Sequence, residues 1–363
     1  QKVYDQDKLL HKFRNDDFVK HFSSAKNYLY KTILKSLRAY RAEKNAHFQI
    51  RELQSDAAIL QEKGLYKQAL KQIRKAKKLG EHYELNLPLL EILQTEKWLV
   101  KKVGKKSAGK ESEVIVQQIN QRFDQLVPEI QYGVVFDRFY FAQEKMNTHA
   151  DVNAHLQRMI KTTFDEHENA SFHSRHLELQ IRGLYAHLQG DMEGTQGCLR
   201  DARLLWEAHP QMISLYPAKY KLILRNCLRG QSFHGNEALF AEIVQKIEAL
   251  PEGAPESEIA IQKDLLYTQL LFHLNTGEFS VGMELVPRIR AFLDQHGSKL
   301  PDLWILAFYY NLCLLHFVGA APEKALRWAN AILNFERPDV RKDVQFSIRL
   351  MRLLIHHDLG NAE

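Results

Sequence analysis

Proline is scarce, ten residues in 363, and Val, Ile and Thr do not dominate the composition. That weakens a β-rich reading and leans the chain toward helix. Cysteine is scarcer still. Cys198, Cys227 and Cys313 are scattered, with no C-x-x-C among them. Lone thiols in odd number suit a reducing compartment, so no disulfide framework or zinc finger is expected. They read as small buried apolar residues. The longest apolar stretch, Leu303 to Gly319, falls short of the roughly 20 residues that span a bilayer. It also contains Asn311 and His316, so a buried helix is expected, with no membrane partner. The chain begins at Gln1 without Met, which reads as processing or as a piece of something longer.

Signatures of catalysis are also missing. There is no G-x-S-x-G elbow, no H-E-x-x-H and no Gly-rich dinucleotide loop. His173 and His176 stand at i, i+3 with Glu178 nearby, but metal ligation needs three or four converging ligands and nothing completes the set. His356 and His357 point to different helix faces, and Asp165, Glu166 and Glu168 read as solvated charge. Gly104–Lys110, G-K-K-S-A-G-K, matches a phosphate-cradling loop until Glu111 stands where Ser or Thr should hold magnesium. Such a loop needs a strand upstream. Here Leu89, Leu90, Leu93, Trp98 and Val103 recur at helical spacing. No catalytic residue, cofactor or metal is expected.

What is present is charge, unevenly spread. Residues 1–110 hold 25 Lys and Arg against 12 Asp and Glu, while the rest of the chain holds 25 against 32. A net charge of +6 therefore hides a basic first third. Such asymmetry suits a polyanionic partner, or two ends of one protein that avoid self-repulsion.

Self-similarity is the strongest signal. In Glu62–Gly80, Gly64 makes a turn, Tyr66 packs its corner, and Ala69, Leu70, Ile73 and Ala76 recur at helical spacing. Leu188–Trp206 repeats the pattern with Gly190, Met192, Leu199, Ala202 and Leu205. Related segments follow around Gly277 and Gly319, with a weaker copy near Phe233. Stepping back by about 42 residues places further turns near 148, 106, 64 and 22. A helix of one such arm is marginal alone, so its apolar stripe must find a second arm, and each hairpin another hairpin. Gly183, Ala69, Ala202 and Ala329 would allow close helix approach, and Asp191 and Ser257 would cap helix starts. Pro210, Pro251, Pro255, Pro301 and Pro338 fall at inferred helix ends.

Gly64-Leu65-Tyr66-Lys67-Gln68-Ala69, with Ala76 seven residues on, resembles the second half of a tetratricopeptide repeat. Ile181–Asp191 is similar to that family's first-helix ending. The resemblance implies an α-solenoid whose first helices line a concave partner-binding groove, without catalysis. The units here are longer than the family's. The family's carboxylate clamp would need Lys and Asn at places that hold Gln54 and Ala58, Gln180 and Leu184, Tyr267 and Leu271, and Tyr309 and Cys313. Capture of chaperone tails is therefore not expected. The same faces offer Arg51, Gln54, Gln61, Gln180, His187, Tyr267, Asn275 and Tyr309 as a polar-aromatic groove for a peptide or helix.

Beside the apolar face of the second arm, Lys67, Lys71, Arg74 and Lys78 fall at i, i+4, i+7 and i+11. Lys101, Lys102, Lys105, Lys106 and Lys110 lie one unit on. Such a row could neutralise several phosphates, or could be a solvated outer face.

The expectation is an all-α chain, a right-handed superhelix of about eight antiparallel hairpins in a single domain over residues 1–363. Residues 1–43 form an N-terminal hairpin or cap, 44–337 the repeats, and 338–363 a capping helix. The expected function is a cytoplasmic, non-enzymatic scaffold that binds a protein or peptide. The alternatives are nucleic-acid or polyanion binding through the basic third, and a peptide-responsive regulator with a partner domain.

Overall fold

The computed structural model describes residues 5–42, 45–104, 107–145, 170–231, 236–335 and 340–361. Those residues form sixteen α-helices and no strand, with consecutive helices packed on their neighbours. They fall into two compact units, residues 5–141 with 170–177, and residues 142–145 with 178 onward.

The first unit runs through α1 (Gln6–Lys12), α2 (Phe22–Ala42), α3 (Ala46–Glu62), α4 (Tyr66–His82), α5 (Asn86–Val103) and, as far as Phe141, α6 (Ala108–Lys145). Its packing follows the periodicity. On α4 the buried set is Ala69, Leu70, Ile73, Ala76 and Gly80, one stripe at helical spacing. Gly80 is where α5 comes closest: a Cβ there would sit 2.8 Å from a Leu89 methyl. Each large apolar side chain buried in this way contributes roughly 1.5–3 kcal/mol. α6 is one helix of 38 residues, longer than any arm the repeat suggested, and it carries Pro128 in its interior. The turn expected near 22 is instead a 3-10 run, Asp17–His21, leading directly into α2. α2 is exposed along most of its length, with Leu29, Ile33 and Leu37 facing solvent.

The second unit takes up α7 (Phe172–Leu188) from Glu178 onward, then α8 (Met192–Glu207) and the short α9 (Pro210–Leu215). Gly183 lets α7 and α8 close up, since a Cβ there would lie 3.2 Å from that of Cys198. Then come α10 (Pro217–Gln231), α11 (Glu237–Ala249), α12 (Pro255–Thr276), α13 (Phe279–His296), α14 (Asp302–Val318), α15 (Pro322–Leu333) and α16 (Lys342–Asp358). First helices pack side by side, α10 on α12, α12 on α14 and α14 on α16, and each also packs on the helix that follows it. Leu270, Ile289, Phe308 and Leu312 centre one core cluster, and Leu306, Ala325, Ile332 and Ile348 the next. α14 is the buried helix its composition suggested, exposed at its ends through Leu303 and Val318.

One terminator recurs. At the ends of α3, α4, α7 and α14, an N–H donates back across six residues: Leu65 to Leu60 (2.8 Å), Leu85 to Gly80, Asp191 to Ala186 and Ala321 to His316 (each 2.9 Å). The residue before each donor is left-handed: Gly64, Glu84, Gly190 and Ala320. In all four cases the residue after the donor opens the next helix. α16 ends the same way, with Asn361 donating to His356 (3.0 Å) and Gly360 at φ +70°.

Asp191 caps α8, its Oδ1 accepting from Gly194 N–H at 2.8 Å. Ser257 does not cap α12. That helix starts two residues earlier at Pro255, whose missing N–H suits a first turn, with Ala254 as the capping position. The turns expected near 148 and 233, the lysines at 105 and 106, the carboxylates at 165, 166 and 168, and Pro338 lie outside the described residues.

Candidate partner-binding surfaces

In the first unit, α4 presents Lys67, Lys71, Lys75 and Lys78 to solvent. Arg74 does not join them. Its Nε donates to Glu96 at 3.0 Å, and its guanidinium also pairs with Glu111. Lys77 donates to the other Glu96 oxygen at 2.9 Å and to Gln118 at 2.7 Å. The reason lies in α5. Glu96 is only 4% exposed, and a carboxylate taken out of water needs cations and donors around it. Lys101 and Lys110 are exposed, and Lys102 lies over the Trp98 ring at 5.3 Å. Lys101, Gly109, Ser112, Glu113 and Gln117 edge an open hollow of about 730 Å³ between the end of α5 and the start of α6.

Of the segment with the phosphate-loop spelling, Gly104 and residues 107–110 are described. Gly104 is the left-handed cap of a helix, not the end of a strand, and Gly109 and Lys110 already belong to α6. Glu111 is engaged by Arg74. Among the described residues, no strand leads into the start of α6.

The groove residues are spread over helices of both units. Arg51, Gln54 and Gln61 lie on α3 in the first unit, exposed or half-buried. Gln180 is half-buried and His187 exposed on α7, and Asn275 is exposed near the end of α12. Tyr267 is held edge-on by Trp304 (5.2 Å) and Phe308 (5.3 Å), and its hydroxyl accepts from Asn311 at 3.3 Å. Burial pushes its phenol above the ordinary range, against the Asn311 hydrogen bond. Tyr309 packs on Trp328 of α15 at 5.1 Å, which turns it toward its own hairpin partner. A row therefore crosses α10, α12 and α14. Arg225 pairs with Asp264 at 3.1 Å, Lys263 with Asp264 at 3.1 Å, and Lys263 lies 3.7 Å over the Trp304 ring. Asp264 serves both cations of this row, and the Nε of Arg225 is buried without a partner.

Open space with an apolar floor lies elsewhere in the second unit. A hollow of about 430 Å³ is framed by α10 to α13, floored by Ile247, Ile261, Leu265 and Phe292. Arg288 and Glu248 pair across its rim at 3.0 Å, and Gln262 and Gln295 edge it. At one end the buried Lys221 donates to both Glu258 oxygens (3.0 and 3.1 Å) and to the Pro251 carbonyl (3.3 Å). The Nδ1 of His296, at the other end, is buried without a partner. Apolar floor and polar rim can hold one large side chain and orient it. Sequence reasoning did not find this site. Its residues come from four helices, and the one local signal, Phe292 and His296 at i, i+4, reads as ordinary core.

His173 and His176 are not paired for a metal: His176 is buried and stacked on Phe172. Among the described residues no group of three His, Cys, Asp or Glu could hold a metal ion, and no helix is long and apolar enough to cross a membrane. Cys227 and Cys313 are buried, and burial pushes their thiols up to about 11 and about 12. No family model, curated protein or solved structure matches this chain.

Proposed function

We propose that this chain is a non-enzymatic scaffold that binds a protein or peptide, built as a right-handed tetratricopeptide-like solenoid with a period near 42 residues. It would work in the cytoplasm. The observation that carries the reading is the hollow framed by α10 to α13, with its apolar floor and polar rim. A partner would seat an apolar or aromatic side chain there and run its backbone past Gln262 and Gln295. Ala291, exposed at the rim, gives a clean test. Peptides selected by display against the wild-type protein should lose at least tenfold in affinity for Ala291→Trp, which fills the hollow without touching the core. Peptides that bind both proteins equally would sink the assignment.

A second reading rests on the exposed lysines of α4, of the end of α5 and of the start of α6. If they hold a polyanion, affinity for heparin or RNA falls steeply with salt, by a slope near the number of phosphates neutralised. Peptide binding at the hollow would barely respond. The regulator alternative requires the same hollow to be coupled to another domain.

A further inference from the structure

A cluster of buried polar groups lies where α5, α6 and the start of α7 meet in the first unit. Asn86, the first residue of α5, is 2% exposed, and its Nδ2 donates to Glu129 Oε1 at 2.6 Å. Ser171, also buried, donates its hydroxyl to the same oxygen at 2.5 Å. Its Oγ accepts from Ser174 N–H at 3.1 Å, which makes Ser171 the cap of α7. The first N–H of that helix, on Phe172, donates to Glu84 Oε2 at 2.8 Å. Glu84 itself is left-handed, at φ +47°, between α4 and α5. Two carboxylates therefore grip the start of α7, and one buried acceptor is left over, since Asn86 Oδ1 has no donor. A carboxylate cannot supply one, but a carboxylic acid can.

We propose that Glu129 and Asn86 form an acid–amide pair, closed by a proton on Glu129 Oε2 that is donated to Asn86 Oδ1, and that this pair is a clasp holding the start of α7 more firmly in acid. Glu129 Oε1 already takes both incoming bonds, so the proton belongs on Oε2. That one proton satisfies a buried acceptor and removes one of two neighbouring negative charges. Burial raises the Glu129 pKa above the ordinary 4.5 and the Glu84 charge adds to it, against the hydrogen bonds from Ser171 and Asn86. When the first turn of α7 opens, Glu129 returns to water and to its ordinary value. The closed clasp therefore binds the proton more tightly than the open one. Closure is favoured as pH falls through the raised value, and the gain is complete below 4.5. Glu84 is the charge that bears on Glu129 from the end of α4. α5 contributes the neutral Asn86, and α7 the neutral Ser171 and Ser174, with His176 stacked on Phe172.

The test is hydrogen exchange of the 172–177 amides in the whole chain, read by mass spectrometry between pH 8 and 4.5 and divided by the intrinsic exchange rate at each pH. Protection in the wild type should rise about fivefold on acidification, the worth of one buried acceptor satisfied. Glu129→Gln carries an amide NH2 where the acid carries its proton. Its protection should match that of the wild type in acid and stay level with pH. His173 and His176 are common to both proteins and cancel in the comparison. Glu84→Gln keeps an oxygen for the Phe172 N–H but loses the charge, so it should move the rise to lower pH. Wild-type protection that stays flat or falls in acid would overturn the proposal, and so would a Glu129→Gln profile parallel to that of the wild type.

Discussion

His316 should make the second unit sensitive to mild acid. It lies on α14, 2% exposed, and neither ring nitrogen has a hydrogen-bond partner. Burial, with Lys324 and Arg290 nearby, pushes its pKa down to about 4 from an ordinary 6.5. The folded imidazole therefore stays neutral while the unfolded one takes up a proton as pH falls through 6.5. Over that window the unfolded state binds more protons, so stability present above pH 6.5 is lost on acidification until the folded group titrates near 4. Between pH 7.5 and 5 the loss from this one group is about 2 kcal/mol. The assay is urea unfolding followed by far-UV circular dichroism at both pH values, for wild type and His316→Leu. The leucine variant should be the more stable at pH 7.5, by about 1 kcal/mol, because an unpaired polar group leaves an apolar site. It should also lose about 2 kcal/mol less than wild type on going to pH 5. Stability profiles that stay parallel across the window would refute the reasoning.

Other expectations follow from named contacts. Glu258→Ala leaves the Lys221 ammonium, 3% exposed, with only the Pro251 carbonyl. That should cost about 3 kcal/mol in urea unfolding, whereas Lys221→Met should cost less. Glycines of opposite environment should respond with opposite sign. Gly133→Ala, mid-helix on α6 with nothing within 4 Å, should stabilise by roughly 0.5–1 kcal/mol. Gly282→Ala puts a Cβ 3.0 Å from a Leu315 methyl and 3.2 Å from the His273 Cβ. Thermal melts should show it lowered by about 1–3 kcal/mol. Asp191→Ala removes the α8 cap and should cost about 1 kcal/mol in the same assay.

Much of the helix content was legible because an amphipathic period is a local signal. Gly64, Gly190 and Gly277 each mark a chain reversal, and at the reversal near 319 the left-handed residue is Ala320, a position composition does not betray. α6 escaped the reading because turns placed near 106 and 148 by the period implied a two-armed unit between them, where one helix runs over Ala108–Lys145 with Pro128 inside it. The surface was less legible. Spacing placed Arg74 in the basic row correctly by angle, but the demand of Glu96, twenty-two residues away, decides where its guanidinium points. Tyr309 fell on a first helix as expected, yet Trp328 of the adjoining arm claims its ring. The hollow was illegible for the same reason: concavity is a property of four helices together.

Glu111 shows what a pattern search would get wrong in this chain. Glu111→Ser would complete the phosphate-loop spelling letter for letter, and a motif scan would score the variant as a nucleotide binder. The molecule would gain no such site, since a helix, not a strand, leads into Gly104. It would lose one of the two carboxylates that hold Arg74 against the α5–α6 side of the unit. The letter that looks like a mistake in the motif is the one the fold has a use for, and correcting it would loosen the protein without teaching it to bind anything new.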